Sequence, residues 1–167
     1  MQENTNSNNS IEPEYKEPVK VVLADDDPDD QEFFTEAIEY AKINTEITTV
    51  NNGQELIDHL KDPAIPSPDI IFLDINMPVK DGREALAEIK SDDKLRDIPT
   101  VIISTSDNPK EVEESFNRGA NLYVKKPYSF PNLILMLKNI FTLFWSKALL
   151  KPIRKTFLFT EKELNKK

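Results

Sequence analysis

The chain has 167 residues, of which 38% are hydrophobic and 31% charged, with a formal net charge of −9 at pH 7. That length holds one domain of ordinary size plus extras, and the apolar share is enough for a core. The acidic balance argues against a general nucleic-acid binder, whose footprint is basic, and the lack of cysteine excludes a disulfide framework or a thiolate metal site.

Residues 1–18 are polar, Asn-rich and twice interrupted by proline, which predicts a disordered leader. They contain no apolar h-region and no basic n-region, so no secretory signal is read and the cytoplasm is the expected address. From Val19 onward short apolar runs alternate with amphipathic stretches. VKVVLA (19–24), the weaker TEITTV (45–50), IIFL (70–73), TVIIS (100–104) and LYVK (122–125) read as strands, the most apolar of them covered on both faces. Between them, Phe33, Phe34, Ala37, Ile38 and Ala41 recur at helical spacing, as do Leu56, Ile57 and Leu60, then Ala85, Leu86 and Ile89, then Val112, Ser115 and Phe116. Pro28 suits a first helical turn, Asn52-Gly53 and Asp81-Gly82 read as turns, and Gly119 ends a helix. A β-α unit repeated five times predicts an α/β fold with a parallel sheet, helices on both faces and right-handed crossovers.

In such a sheet, ligands bind beyond the carboxyl ends of the strands. Asp25 and Asp26 follow the first apolar run, Asp74 follows the third, Ser104 ends the fourth, and Lys126 stands just past the fifth. One rim therefore collects three carboxylates, a hydroxyl and an ammonium. Three converging carboxylates stay ionised cheaply only if a cation compensates them, and Mg²⁺ takes few carboxylates while leaving room for water and phosphate oxygens. One carboxylate can then serve as nucleophile through an aspartyl-phosphate. Phosphoryl transfer asks for alignment and for positive charge at the equatorial oxygens, which Mg²⁺, a lysine and a hydroxyl would supply.

Over residues 19 to about 140 these motifs resemble the receiver domain of two-component response regulators. The acidic pair is Asp25-Asp26, the phosphoacceptor with its turn is DINMPVKDG (74–82), the switch hydroxyl is Ser104, five residues after Pro99, and the Lys-Pro pair is Lys126-Pro127. The resemblance implies a flavodoxin-like (βα)5 doubly wound sandwich with strand order 2-1-3-4-5, here a receiver domain over 19–146, and the charge count sets residues 147–167 apart as a basic C-terminal extension. It further implies that Asp74 attacks phosphorus, that Asp26 binds Mg²⁺ directly and Asp25 through water, and that the backbone carbonyl of Asn76 completes the protein ligands. Lys126 would pair with Asp74 and then with a phosphoryl oxygen, while Ser104 and the amide of Thr105 would bond the other oxygens. Tyr123 would be the aromatic switch residue, and Asn76 and Ser106 would tune the lifetime of the phosphate.

Other residues have plainer readings. Asp27, Asp29 and Asp30 read as first-turn acids favouring the helix macrodipole, although Asp27 could replace Asp25 in the metal pair. Lys125 reads as an outward-facing neighbour, and His59, the only histidine, lacks companions for a metal or phosphohistidine role. Thr105 is larger than the very small residue usual at its position and could narrow access to the phosphate. The proline-rich loop KDPAIPSPDI, together with IKSDDKLRDIPTV, resembles the small single-domain receivers that partner phytochrome-type histidine kinases.

Residues 133–150 hold thirteen apolar residues in eighteen, interrupted by Lys138, Asn139 and Lys147, and read as a last helix with surplus apolar surface rather than a membrane span. Phe141, Phe144, Trp145, Leu149 and Leu150 are the candidates for a homodimer or kinase contact, with Pro152 ending the helix. The extension carries seven basic and two acidic residues and could fold back on the acidic domain, swap onto a second subunit or touch an anionic surface. The resulting expectation is a single-domain response regulator, not an enzyme beyond its own phosphotransfer and slow autodephosphorylation, that takes a phosphoryl group from a histidine kinase and signals to a downstream protein or phosphotransfer protein. Alternatives are an intermediate receiver in a multi-step phosphorelay, a constitutive dimeric adaptor, a non-phosphorylated binding module, or a phosphatase of the haloacid-dehalogenase type. The phosphatase would want a second acid where this chain has Asn76.

Overall fold

Strands form where the short β-branched runs stand and helices where the 3.6-residue period holds. In the structure, a computed structural model that describes residues 17–165, β1 is Val19–Ala24, β2 Thr45–Val50, β3 Ile70–Leu73, β4 Thr100–Ser104 and β5 Leu122–Lys125. The helices are α1 (Pro28–Tyr40), α2 (Gly53–Lys61), α3 (Gly82–Ser91), α4 (Pro109–Asn117) and α5 (Phe130–Trp145). The leader expected at the N-terminus falls almost wholly on residues 1–16, outside the described residues.

Local chemistry starts each helix. Side chains of Asp27, Asn52, Asp81, Asn108 and Ser129 accept from amides of the first turns of α1 to α5, satisfying donors that have no partner inside the helix. Asn52 and Asp81, expected in turns, are thus helix caps. Gly119, with φ +94°, turns the chain after α4.

The sheet divides its side chains by parity. Val21, Leu23, Ile70, Phe72, Val101 and Ile103 pack with α1 and α5, whereas Val22, Ala24, Ile71, Leu73 and Ile102 pack with α2 and α3. Every residue of β3 and β4 is buried, as expected of central parallel strands with helices on both faces, while edge strand β2 is half exposed.

The C-terminal extension changes three expectations. A two-residue strand, β6 (Leu158–Phe159), pairs parallel to β5, so the sheet has six strands in the order β2-β1-β3-β4-β5-β6 rather than five. It covers part of β5's otherwise unpaired edge, and the amide of Tyr123 donates to the Phe157 carbonyl at 3.0 Å. Residues expected to form an interface are partly core: Phe141 and Leu149 are buried, Phe144 and Trp145 half-buried, and only Leu150 is exposed, at 49%. Much of the surplus apolar surface of α5 is met by the chain itself, because Leu149, Phe159 and Leu164 pack into the α1/α5 layer, although Leu135 stays exposed. The helix also ends at Trp145, earlier than Pro152 would require, because Lys147 adopts a left-handed conformation at φ +62° and turns the chain back.

Tail and body are tied at several points. Phe157, 3% exposed, packs against the rings of Phe116 and Tyr123 with centroids 5.1 and 6.5 Å away. Arg154 stacks over Phe116 and pairs with Glu113, and the Asn121 side chain donates to the Leu149 carbonyl at 2.8 Å. A short last helix, α6 (Glu161–Leu164), opens with a capping box at Thr160 and Glu163. Among the described residues no helix is long and apolar enough to cross a membrane.

Candidate functional site

The parallel sheet brings the ends of β1, β3, β4 and β5 to one rim. Asp25 immediately follows β1, Asp74 follows β3, Ser104 closes β4 and Lys126 lies one residue past β5. Asp25, Asp74 and Ser104 are buried at 2%, 7% and 0% exposure, while Asp26 faces solvent. One carboxylate oxygen from each of Asp25, Asp26 and Asp74 lies within 4.8 Å of the others. Three oxygen donors at that spacing, one on the open side, fit a hard divalent cation with room left for water.

Backbone bonds fix this rim. The Asp74 amide donates to Ala24 O at 2.9 Å, the Asp25 amide to Val50 O at 3.1 Å, and the Lys126 amide to Ser104 O at 2.7 Å. Asp25 is held further: its Oδ1 accepts from the Asp27 amide at 3.0 Å and its carbonyl from Gln31 Nε2 at 2.6 Å. The loop after β3 passes close under Asp74. Gly82 donates to Ile75 O at 2.8 Å, and a Cβ on Gly82 would collide with the Asp74 carbonyl. In the same loop Val79 is 82% exposed and sits at φ +66°, a region that β-branched residues avoid.

Charges at the rim are coupled. Burial pushes the Asp74 carboxyl up to about 6; the nearby Lys126 ammonium opposes that and the Asp25 carboxylate adds to it. Burial also raises Asp25, against the Asp27 amide and Lys126. For Lys126 burial alone would lower the pKa, but the carboxylates of Asp74, Asp25 and Asp30 win and hold it above the ordinary lysine value. Ionising both buried acids is therefore costly until a cation arrives.

The residues singled out in the sequence for phosphotransfer and switching lie at or beside this rim. Lys126 Nζ stands 3.5 Å from Asp74 Oδ2 and 2.9 Å from Asp25 Oδ2. Ser104 Oγ accepts from the Ser106 amide at 3.2 Å, and Thr105 is exposed at the mouth. Asn76 is exposed beyond Asp74, with its amide 3.3 Å from Asp74 Oδ1. Tyr123 is fully buried, and its hydroxyl donates to Ser106 O at 2.8 Å, joining β5 to the loop after β4. Lys125 points away and pairs with Asp107 at 3.3 Å.

One residue departs from its sequence reading. Asp30, expected only to favour the helix N-terminus, accepts from Lys126 Nζ at 3.0 Å. Helical Cα–Cβ bonds tilt toward the helix start, so an acid in the first turn of α1 reaches back to the rim where α1 begins. That tilt is the signal by which it could have been found.

A family model described as the response regulator receiver domain matches residues 21–138. The curated Response regulator Rcp1 of Synechocystis is 32% identical over 143 residues, spanning 83% of this chain and 97% of its own. Among solved structures, the phosphorylated cyanobacterial phytochrome response regulator RcpA superposes with a TM-score of 0.72 at 36% identity, covering 78% of this chain and 96% of its own. The Mn²⁺-bound form of Rcp1 gives a TM-score of 0.68 at 31% identity over 81% of this chain and 97% of its own.

Proposed function

The chain belongs to the response regulator receiver domain family, and on that premise we propose that it accepts a phosphoryl group from a histidine kinase onto Asp74 and thereby changes its affinity for another protein. The observation that carries this reading is the geometry of Asp74: buried at a strand end, 3.5 Å from the Lys126 ammonium and grouped with oxygens of Asp25 and Asp26. In the transfer, an Asp74 carboxylate oxygen bonds to phosphorus as the P–N bond to the kinase histidine breaks, the electron pair leaving with the imidazole. Lys126 is placed to take a phosphoryl oxygen, and the Ser104 hydroxyl and Thr105 amide to bond the others. Donors already in place cost no reorganisation at the moment of transfer.

Mg²⁺ fits the acidic group: Asp26, Asp74 and the Asn76 carbonyl would hold it, with Asp25 acting through water, and when bound it would neutralise charge on the phosphoryl oxygens. The likeness to Rcp1 and RcpA, the latter described as a phytochrome response regulator, supports a phytochrome-type kinase as partner. Asn76 and Ser106, flanking the acceptor and the hydroxyl, would set how long the phosphate persists. Phosphorylation draws Ser104 and Lys126 toward the phosphate and biases Tyr123 through its bond to Ser106 O, shifting an existing equilibrium. Turnover of external phosphate esters is not expected, and the setting is cytoplasmic.

Beryllofluoride with Mg²⁺, which mimics the phosphoryl group, tests this. Two-dimensional amide NMR should show shifts at Ser104, Thr105, Tyr123 and Lys126 in the native protein and none in Asp74→Asn. Shifts absent in the native protein, or retained in the variant, would rule the reading out.

A further inference from the structure

An ammonium has three N–H donors, and at Lys126 two of them point at carboxylates other than the acceptor's. Asp25 Oδ2 takes one at 2.9 Å and Asp30 Oδ2 another at 3.0 Å, while Asp74 Oδ2 stands farther off at 3.5 Å. The two nearer acids differ. Asp25 is buried, tied to the Asp27 amide, and part of the cation-binding group. Asp30 lies outside that group, rides on the first turn of α1, has a side chain 43% exposed, and among the described residues has Lys126 as its only ion-pair partner. Both residues border a cleft of about 180 Å³ between α1 and the start of α5, floored by Leu23, Phe34, Ile103 and Leu133. The lysine therefore has space on that side to be held.

We propose that Asp30 is a positioning residue for the transfer onto Asp74: its carboxylate holds one Lys126 N–H away from Asp74, and that contact must open before the lysine can give a phosphoryl oxygen its full set of donors. This rests on the reading of Asp74 as the phosphoacceptor. Asp30 touches no reacting atom, so it works through the lysine alone, as a brake on the loaded state.

Asp30→Asn keeps the size of the side chain and removes the ion pair, whereas Asp29→Asn removes a charge from the same helical turn without touching Lys126. At Mg²⁺ concentrations saturating for each variant, Asp30→Asn should bind beryllofluoride about fivefold more tightly than the native protein, the upper end for a partly exposed ion pair. Its phosphorylation by a small acyl phosphate at subsaturating donor should accelerate by a similar factor. Asp29→Asn should stay within about twofold of native, as should Asp30→Glu, whose carboxylate can still reach the lysine. In the metal-free protein the Lys126 ammonium resonance, read by ¹⁵N NMR, should move in Asp30→Asn and not in Asp29→Asn. Equal behaviour of Asp30→Asn and Asp29→Asn, or weaker beryllofluoride binding by Asp30→Asn, overturns the proposal. A native protein that binds no beryllofluoride overturns the phosphoacceptor reading instead, and the metal-free lysine resonance then still decides whether Asp30 holds Lys126.

Discussion

Replacing Asp74 by Asn should stabilise the metal-free protein at pH 7, and the gain should disappear in acid. Burial raises the Asp74 carboxyl from 3.8 to about 6. At 1.36 kcal/mol per unit, keeping it ionised in the fold costs about 3 kcal/mol. The unfolded chain releases this proton near its ordinary value, and the folded protein only near 6. Between those values the folded state binds more protons, so stability falls as pH rises through the window and is lowest once Asp74 is ionised. Asn carries no charge and escapes this cost, giving a ceiling of about 3 kcal/mol at pH 7, or about 6–12 °C in Tm for a domain of this size. Lys126 is not stranded by the change, because Asp25 and Asp30 still accept from it at 2.9 and 3.0 Å. Urea unfolding with a chelator present, at pH 7 and at pH 4.5, measures both parts. Adding Mg²⁺ should then stabilise the native protein far more than the variant, because the cation binds only the fold and needs the third carboxylate. A variant no more stable than native at pH 7, or a gain undiminished at pH 4.5, would show that burial does not strain Asp74 as its surroundings indicate.

Two further outcomes concern the tail and the loop after β3. Phe157→Ala empties a site 3% exposed between Phe116 and Tyr123 and should cost about 3–5 kcal/mol. Limited proteolysis should then cut between residues 150 and 160 well before the body; a resistant tail would mean that Phe157 does not anchor it. Val79→Asn keeps the loop but suits φ +66° and should raise stability by about 1 kcal/mol, because an exposed valine loses no packing there. A thermal melt at or below the native temperature would contradict the strain at this position.

The first five strands, the first five helices and the rim were legible because their determinants are local or repeat along the chain. β3 is written in four consecutive apolar residues, and Asp74 is placed by the end of that run. Parallel pairing then aligns strand ends, so residues far apart in the chain, Asp25, Asp74, Ser104 and Lys126, converge without any sequence signal for one another. The surplus apolar residues of α5 were equally visible, but not what would cover them. Phe141 and Leu149 looked like a surface for a second molecule and are core, Phe141 because α5 lays it against Phe72 of the sheet and Leu149 because the chain turns at Lys147 and returns.

What the amino-acid sequence determined alone was therefore periodicity, capping and the chemistry placed at strand ends, all set within a few residues of one another. What only the tertiary structure decided was pairing at a distance. β6 is two residues long, too short to stand out as a strand, and exists because β5 offers it unpaired amides and carbonyls. Asp30 reads in isolation as a helix-favouring acid, and becomes a partner of Lys126 because α1 packs with its first turn against the rim where β5 ends, 96 residues further along the chain. Ion pairs and edge pairing depend on distances in space, and those distances are fixed only once the core has closed.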